Sequence, residues 1–90
     1  MVMLDNFKSY LIDNGYSLFT LNGNPSTVFD YIKRIEKICF REEITVDELS
    51  KEIDHFVNLY GPNGEESEFG KKSHGAFIAA LKKFKEFLND

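Results

Sequence analysis

The chain has 90 residues and a net charge of −4, and 42% of its residues are hydrophobic. This length predicts a single domain over residues 1–90, and the composition excludes a disordered chain. A single cysteine excludes an internal disulfide and a cysteine-rich zinc cluster, and it favours the cytoplasm. Because the sequence has no apolar run of about 20 residues and no basic leader, we expect neither a membrane span nor a signal peptide.

Charge falls into three blocks along the chain. Residues 1–41 carry a net charge of +1, residues 42–68 carry −8, and residues 69–90 carry +3. The total excludes a strongly basic nucleic-acid binder as the simple interpretation. Two interpretations stay open, namely a dipolar molecule with a functional surface and a set of helices with ordinary solvated faces.

Apolar spacing predicts a first helix over residues 4–14. Leu4, Phe7 and Leu11 share one face of this helix, and Gly15 can take the left-handed conformation that ends it. Residues 16–24 contain a strong turn signal at their end, so we predict a packed loop there.

A second helix is predicted to start near residues 25–27, because proline suits the first helical turn. Its apolar residues repeat at intervals of three and four, which indicates one buried face. Lys33, Arg34 and Lys37 lie off that face and are expected to be exposed.

A third helix is predicted over residues 45–60 and ends at Gly61. Thr45 and Glu48 have the spacing of a capping box, in which each side chain bonds the other residue's backbone N–H. The glycine-rich, acidic residues 61–72 predict a loop.

A fourth helix is predicted to begin with Ser73 as its N-cap. Its apolar residues recur at helical spacing, while Gly75, Ala79 and Lys82 line the opposite face. Small residues there would let another backbone approach, and an exposed face without a partner is the alternative. Amphipathic helices without alternating strand patterns predict an all-α domain of four or five helices around one core.

Residues that carry catalytic or metal chemistry are sparse. His55 and His74 are the only histidines, and Cys39 has no second cysteine for a metal site. Ser73 and His74 are neighbours at a helix start, and a nucleophile–base pair needs convergence through the fold instead. We therefore expect no catalytic residues, no metal site and no cofactor, and a protein that is not an enzyme.

Three stretches, at residues 7–16, 25–38 and 73–88, together resemble the N-terminal core-binding domain of phage integrases, the tyrosine recombinase family. Residues 7–16 look like its entry helix, and residues 25–38 are similar to its Ser/Thr-led second helix. Residues 73–88 match its last helix, and residues 44–49 match the short helix before a variable loop. The resemblance implies a compact SAM-like orthogonal bundle that clamps duplex DNA.

In that family a separate C-terminal domain cleaves the DNA, so the resemblance implies a noncatalytic DNA-binding piece of a longer protein. Phosphate contacts would come from two helix starts and from basic side chains. The expected DNA-binding residues are Ser26, Thr27, Lys33, Arg34, Lys37, Lys71, Lys72, Ser73 and Lys82. Arg34 is the best candidate for a base contact, because arginine can bond guanine bidentately.

Other interpretations of the same residues stay open. The serines and threonine can act as helix caps alone, and the basic residues can form a solvated face. The alternative function is a helical protein–protein interaction module, in which the acidic middle or the Gly75/Ala79 face meets a protein partner.

Overall fold

The computed structural model describes residues 2–16 and 27–89, and the regular elements in this part of the chain are all α-helices. They are α1 (Val2–Asp13), α2 (Thr27–Glu42), α3 (Val46–Lys51), α4 (Ile53–Tyr60), α5 (Ser67–Gly70) and α6 (Lys72–Leu88). The predicted all-α class is confirmed, although the described residues form six helices where four or five were expected. In the same residues no helix has both the length and the apolar character needed to cross a bilayer.

One apolar core lies where the predicted helix faces meet. Phe7 of α1 packs edge-to-face on Phe84 of α6 with 5.1 Å between the ring centroids. The predicted stripes supply most of the buried side chains, namely Leu4, Phe7, Leu11, Val28, Ile35, Ile38, Leu49, Ile53, Phe56, Tyr60, Phe77, Leu81 and Phe84. Helical periodicity therefore identified most of the core, whereas some residues with the same apolar spacing are only partly buried, namely Tyr31, Ile32, Val57 and Leu88.

The first two helices end with the same backbone motif. After α1, Tyr16 N–H donates to the Leu11 carbonyl and Gly15 has φ 96°. After α2, Ile44 N–H donates to the Cys39 carbonyl in the same pattern, with Glu43 at φ 57°. Both are Schellman ends, but the second places a glutamate in the left-handed position that glycine favours.

The prediction of one continuous third helix is wrong. The capping box at its start is confirmed, because Glu48 N–H donates to Thr45 Oγ1 over 3.1 Å and Thr45 N–H donates to Glu48 Oε1 over 3.0 Å. At Glu52, however, the backbone leaves the helical region with φ −122° and ψ 32°, which separates α3 from α4. The apolar spacing continues across this break, so the sequence pattern did not reveal it.

The predicted loop over residues 61–72 contains the short helix α5. Its helical bonding continues toward α6, since Lys71 N–H donates to the Ser67 carbonyl over 3.0 Å. Consequently α6 begins at Lys72 with Lys71 at its N-cap, and the prediction of Ser73 as N-cap is wrong.

Gly75 lies near the start of α6 with φ 79°. Apart from the adjacent residues and the backbone of its own helix, a Cβ atom there would meet only Ile78 Cγ2, at 3.8 Å. No other backbone therefore packs closely against Gly75 in the described part of the chain. Backbone conformation explains this glycine better than a close helix contact does.

Candidate functional site

Two aromatic rings form the base of the candidate site. Phe69 of α5 and Phe77 of α6 have centroids 4.5 Å apart and planes tilted by 44°. Gly70 makes this placement possible, because a Cβ atom there would lie 1.9 Å from the Tyr60 carbonyl oxygen. The close approach of α5 to the end of α4 therefore sets the position of the Phe69 ring.

Three cations from two helices lie against these rings. The Arg34 guanidinium carbon is 5.2 Å from the Phe77 centroid, and that of Arg41 is 4.2 Å from the Phe69 centroid. Lys72 Nζ is 5.1 Å from the Phe69 centroid. These distances fall within the usual range for cation–π attraction. Arg34, Arg41, Phe69, Lys72 and Phe77 are called the basic–aromatic cluster below.

A line of exposed cations on α2 leads into the cluster. Lys33, Lys37 and Arg41 are spaced by four residues, so they follow one face of the helix over about 12 Å. The ion pairs of the described residues include Arg41 but neither Lys33 nor Lys37. Their ammonium groups are therefore available to an external anion.

Two contacts fix the end of α2 beside the cluster. Arg41 Nη2 lies 2.6 Å from Glu66 Oε1, and the Tyr60 hydroxyl donates to Glu42 Oε2. Burial, followed by this hydrogen bond to Glu42, raises the pKa of Tyr60, so the phenol keeps its proton at neutral pH. The Arg41 side chain is thus held in place before any ligand binds.

Carboxylates reduce the positive charge of this region without cancelling it. Lys71 Nζ lies 3.0 Å from Glu68 Oε1, and both side chains are well exposed. The cations here are Arg34, Lys37, Arg41, Lys71 and Lys72. Against Glu42, Glu66 and Glu68 they leave a net charge of +2 in a protein whose total is −4. An exposed pair such as Lys71–Glu68 exchanges readily with an external phosphate, because it is worth less than about 1 kcal/mol.

The expectation that Arg34 lies on a solvated face is wrong. Its side chain is half-buried against Phe77, and its Nε atom is buried without a hydrogen-bond partner. The remaining guanidinium nitrogens are therefore the part of Arg34 that could reach a ligand.

The structure gathers some of the other predicted DNA-binding residues and separates others. Lys72 belongs to the basic–aromatic cluster, Lys71 directly precedes it, and Lys37 lies one helical turn before Arg41. Thr27 begins α2 about 10 Å along the helix from Arg34. Lys82 is about 15 Å along α6 from Lys72, beside the turn after α4. Ser26 and the Ser73 side chain lie outside the described residues.

The sequence analysis missed three residues of the site, namely Phe69, Phe77 and Arg41, of which Arg41 is the cation. It lies near the end of α2, 28 positions before Phe69, so no local pattern links the two residues. The available signal was its spacing of four from Lys37, which extends the basic line by one more turn.

Other chemistry is sparse around this site. No group of three or more His, Cys, Asp and Glu side chains within residues 2–16 and 27–89 has the arrangement that a metal ion needs. His55 is exposed on α4 and stacks edge-on against Phe56, with 5.1 Å between the ring centroids. The site thus offers cations and aromatic surface, which suit the binding of an anionic ligand.

Together the fold and the site define a small all-α domain with a preformed cationic surface. No protein-family model, curated protein or solved structure matches the chain.

Proposed function

We propose that this domain binds duplex DNA through the basic–aromatic cluster and the exposed cations of α2. The observation that carries the proposal is the meeting of Arg34 and Arg41 from α2 with Lys72 from α6 on two adjoining, mutually tilted rings. Such convergence holds cations from separate helices in a fixed arrangement, which lowers the ordering cost of binding a polyanion.

Phosphate contacts would supply most of the affinity. Lys33, Lys37 and Arg41 face the same side over about 12 Å, so one strand of a duplex can contact several of them. The start of α6 adds backbone N–H groups next to Lys72. These contacts position the protein without reading bases, whereas Arg34 has free guanidinium nitrogens for a base edge.

This proposal agrees with the resemblance of the chain to integrase core-binding domains. There the DNA-binding domain is noncatalytic, and the reaction belongs to a separate domain. We propose the same division here: a DNA-binding module that does no chemistry, needs no cofactor and works with a catalytic domain of a longer protein.

The test is fluorescence anisotropy of a labelled duplex titrated with the protein at about 50 mM and 200 mM salt. With three or four phosphate contacts, the affinity should fall roughly 40- to 150-fold between these two concentrations. The variant Lys37→Gln/Lys72→Gln removes two exposed cations of the site. We expect it to weaken binding at low salt and to lower the slope of log affinity against log salt by about 2.

The matched control is Lys51→Gln/Lys82→Gln, which removes the same charge from exposed positions outside the cluster. It should bind almost as the unchanged protein does. Equal weakening by the two double variants would refute a localised site, and an unchanged anisotropy at 50 mM salt would refute DNA binding by this domain.

A further inference from the structure

An apolar groove lies on the other side of α2 from the basic–aromatic cluster. Leu4 of α1, Ile32 and Cys39 of α2, and Ile44 and Val46 at the start of α3 line a volume of about 560 Å³. A second hollow shares Cys39 and Ile44 with the first, so the two form one surface along α2.

Two large apolar side chains remain exposed among the described residues, one lining this groove and the other one helical turn beyond it on α1. Phe40 is 82% exposed and lines the second hollow. Ile12 is 39% exposed and follows the groove residue Lys8 by one turn on the same face of α1. Their exposure beside a concave apolar surface is a feature of protein-interaction sites.

The groove has an acidic rim. Asp5 and Glu36 border the first hollow, and Glu43 and Glu48 border the second, all four with exposed side chains. The rim also contains Lys8, whose Nζ is 5.5 Å from the Phe29 centroid.

The remaining cation of the rim is directed elsewhere. Arg41 is bound to Glu66 and lies against Phe69, so its charge serves the basic–aromatic cluster. Even when Arg41 is counted with Lys8, the four carboxylates leave the residues that line the two hollows with a net charge of −2, so the rim attracts positive charge.

The dimensions of the groove match a short helix. The α2 wall runs from Phe29 to Phe40, which is about 16 Å or three helical turns. An amphipathic helix that binds in a groove presents apolar residues at positions i, i+3 or i+4, and i+7 over this length.

We infer that this groove binds a basic amphipathic helix of a protein partner, with apolar side chains over Cys39 and Ile44 and lysines or arginines facing the acidic rim. The inference does not depend on DNA binding, because the groove floor and the aromatic rings of the cluster lie on different sides of α2, and Arg41 at the end of the helix is the residue that borders both. It assigns the domain a second contact, with a protein.

The test uses two synthetic 14-residue stapled helices with leucines at positions i, i+4, i+7 and i+11. One carries lysines on its flanks and the other carries glutamates at the same positions. We expect the lysine peptide to bind at least tenfold more tightly in fluorescence anisotropy. It should also shift the amide resonances of Phe40, Ile44 and Cys39 in 15N-labelled protein.

Two variants localise the binding. Phe40→Ser replaces an exposed side chain, so it should leave the melting temperature unchanged and weaken lysine-peptide binding by about tenfold. Glu36→Lys/Glu43→Lys should reverse the preference toward the glutamate peptide, whereas the matched control Glu52→Lys/Glu65→Lys, on exposed positions outside the groove, should preserve it.

Three results would overturn the inference. Equal affinity for the two peptides would contradict the role of the acidic rim. Chemical-shift changes confined to residues far from α2 would place the peptide at another surface. A dimer in sedimentation that Phe40→Ser disrupts would identify a second copy of the chain as the occupant of the groove.

Discussion

The two sides of α2 differ in how their charges are arranged. On one side Arg34 and Arg41 lie against aromatic rings, and Glu66 holds Arg41 in place. On the other side, the carboxylates of Glu36 and Glu43 stand free around an apolar groove. One side is a preformed cationic surface, and the other is an apolar surface with an acidic border.

This difference shows why the net charge of −4 is a poor guide to the partners of the protein. Charges farther apart than about 8–10 Å are largely screened at physiological salt, so each side of α2 acts through its local charges. The proposed polyanion and the proposed basic helix would therefore occupy different places on the same small domain. The following variants change one side while leaving the other intact.

The largest expected effect comes from Gly70→Ala, which alters the cluster side. The added Cβ atom would lie 1.9 Å from the Tyr60 carbonyl oxygen, so α5 must move away from α4. We expect a loss of about 3 kcal/mol in the free energy of unfolding, measured by urea denaturation. In the protein that remains folded, DNA affinity should fall and lysine-peptide binding should persist.

Gly15→Ala is the matched control for this variant. A Cβ atom at Gly15 meets no atom within 4 Å, but its φ of 96° strains any other residue. We expect a smaller loss of about 1 kcal/mol. If Gly70→Ala were no more harmful than Gly15→Ala, the close approach of α5 would not be what positions Phe69.

The sequence predicted the core far better than it predicted this cluster. Residues at three- and four-residue spacing, such as Leu4, Phe7 and Leu11, were identified because burial imposes a period on each helix. The short helix α5 spans only four residues, which is too few to show a period. The contact between Arg41 and Phe69 depends on how α5 returns to α2, and that is a property of the tertiary packing.

The next largest effect is a loss of stability at alkaline pH, where the Cys39 thiol on the groove side ionises. Cys39 is only 7% exposed in the groove floor, and burial raises its pKa from the usual 9.0 to about 11, with a further contribution from Glu36. The folded state therefore holds the thiol proton more tightly than the unfolded chain does. The thiol's contribution to the free energy of unfolding should be fully present below pH 9, and it should fall by on the order of 2 kcal/mol as the pH rises to 11.

Urea unfolding at pH 8, 9.5 and 11 measures this loss, and Cys39→Ala isolates the thiol. Tyr60 also has a raised pKa and contributes to instability above pH 10 in both proteins. Between pH 9 and 11, the free energy of unfolding of the unchanged protein should therefore fall more steeply with pH than that of Cys39→Ala. If the stabilities of the two proteins changed in parallel with pH, the thiol proton would not contribute to the loss of stability.

A smaller effect is expected from Phe69→Leu, which keeps apolar volume on the cluster side but removes the ring beneath Arg41 and Lys72. Two cation–π contacts of about 0.5–1 kcal/mol each would be lost. We expect a loss of about 1–2 kcal/mol in stability and a several-fold weaker affinity for duplex DNA. Anisotropy at 50 mM salt measures the second effect.

Phe87→Leu is the control for ring loss alone. Phe87 is half-buried and packs on the rings of Phe7, Tyr10 and Phe84. It should lose stability without losing DNA affinity. Equal DNA affinities for the two leucine variants would contradict a role of Phe69 in holding the cations.

The smallest effect is expected from Glu43→Gly, at the end of α2. Gly15 and Glu43 occupy the same position in two Schellman ends, with φ values of 96° and 57°. Glycine adopts this conformation without the steric penalty that glutamate meets, although it adds freedom to the unfolded chain. We expect a net gain of about 0.5–1 kcal/mol in the free energy of unfolding, and little gain from Glu43→Ala, which keeps the Cβ atom.

Glu43→Gly also separates stability from recognition on the groove side. Removing one carboxylate from the acidic rim should weaken binding of the lysine peptide while the fold becomes more stable, and DNA affinity should change little. If stability and lysine-peptide affinity rose together, Glu43 would act on the groove through backbone strain and not through its charge. In that case the rim would attract the basic helix through Asp5, Glu36 and Glu48 alone.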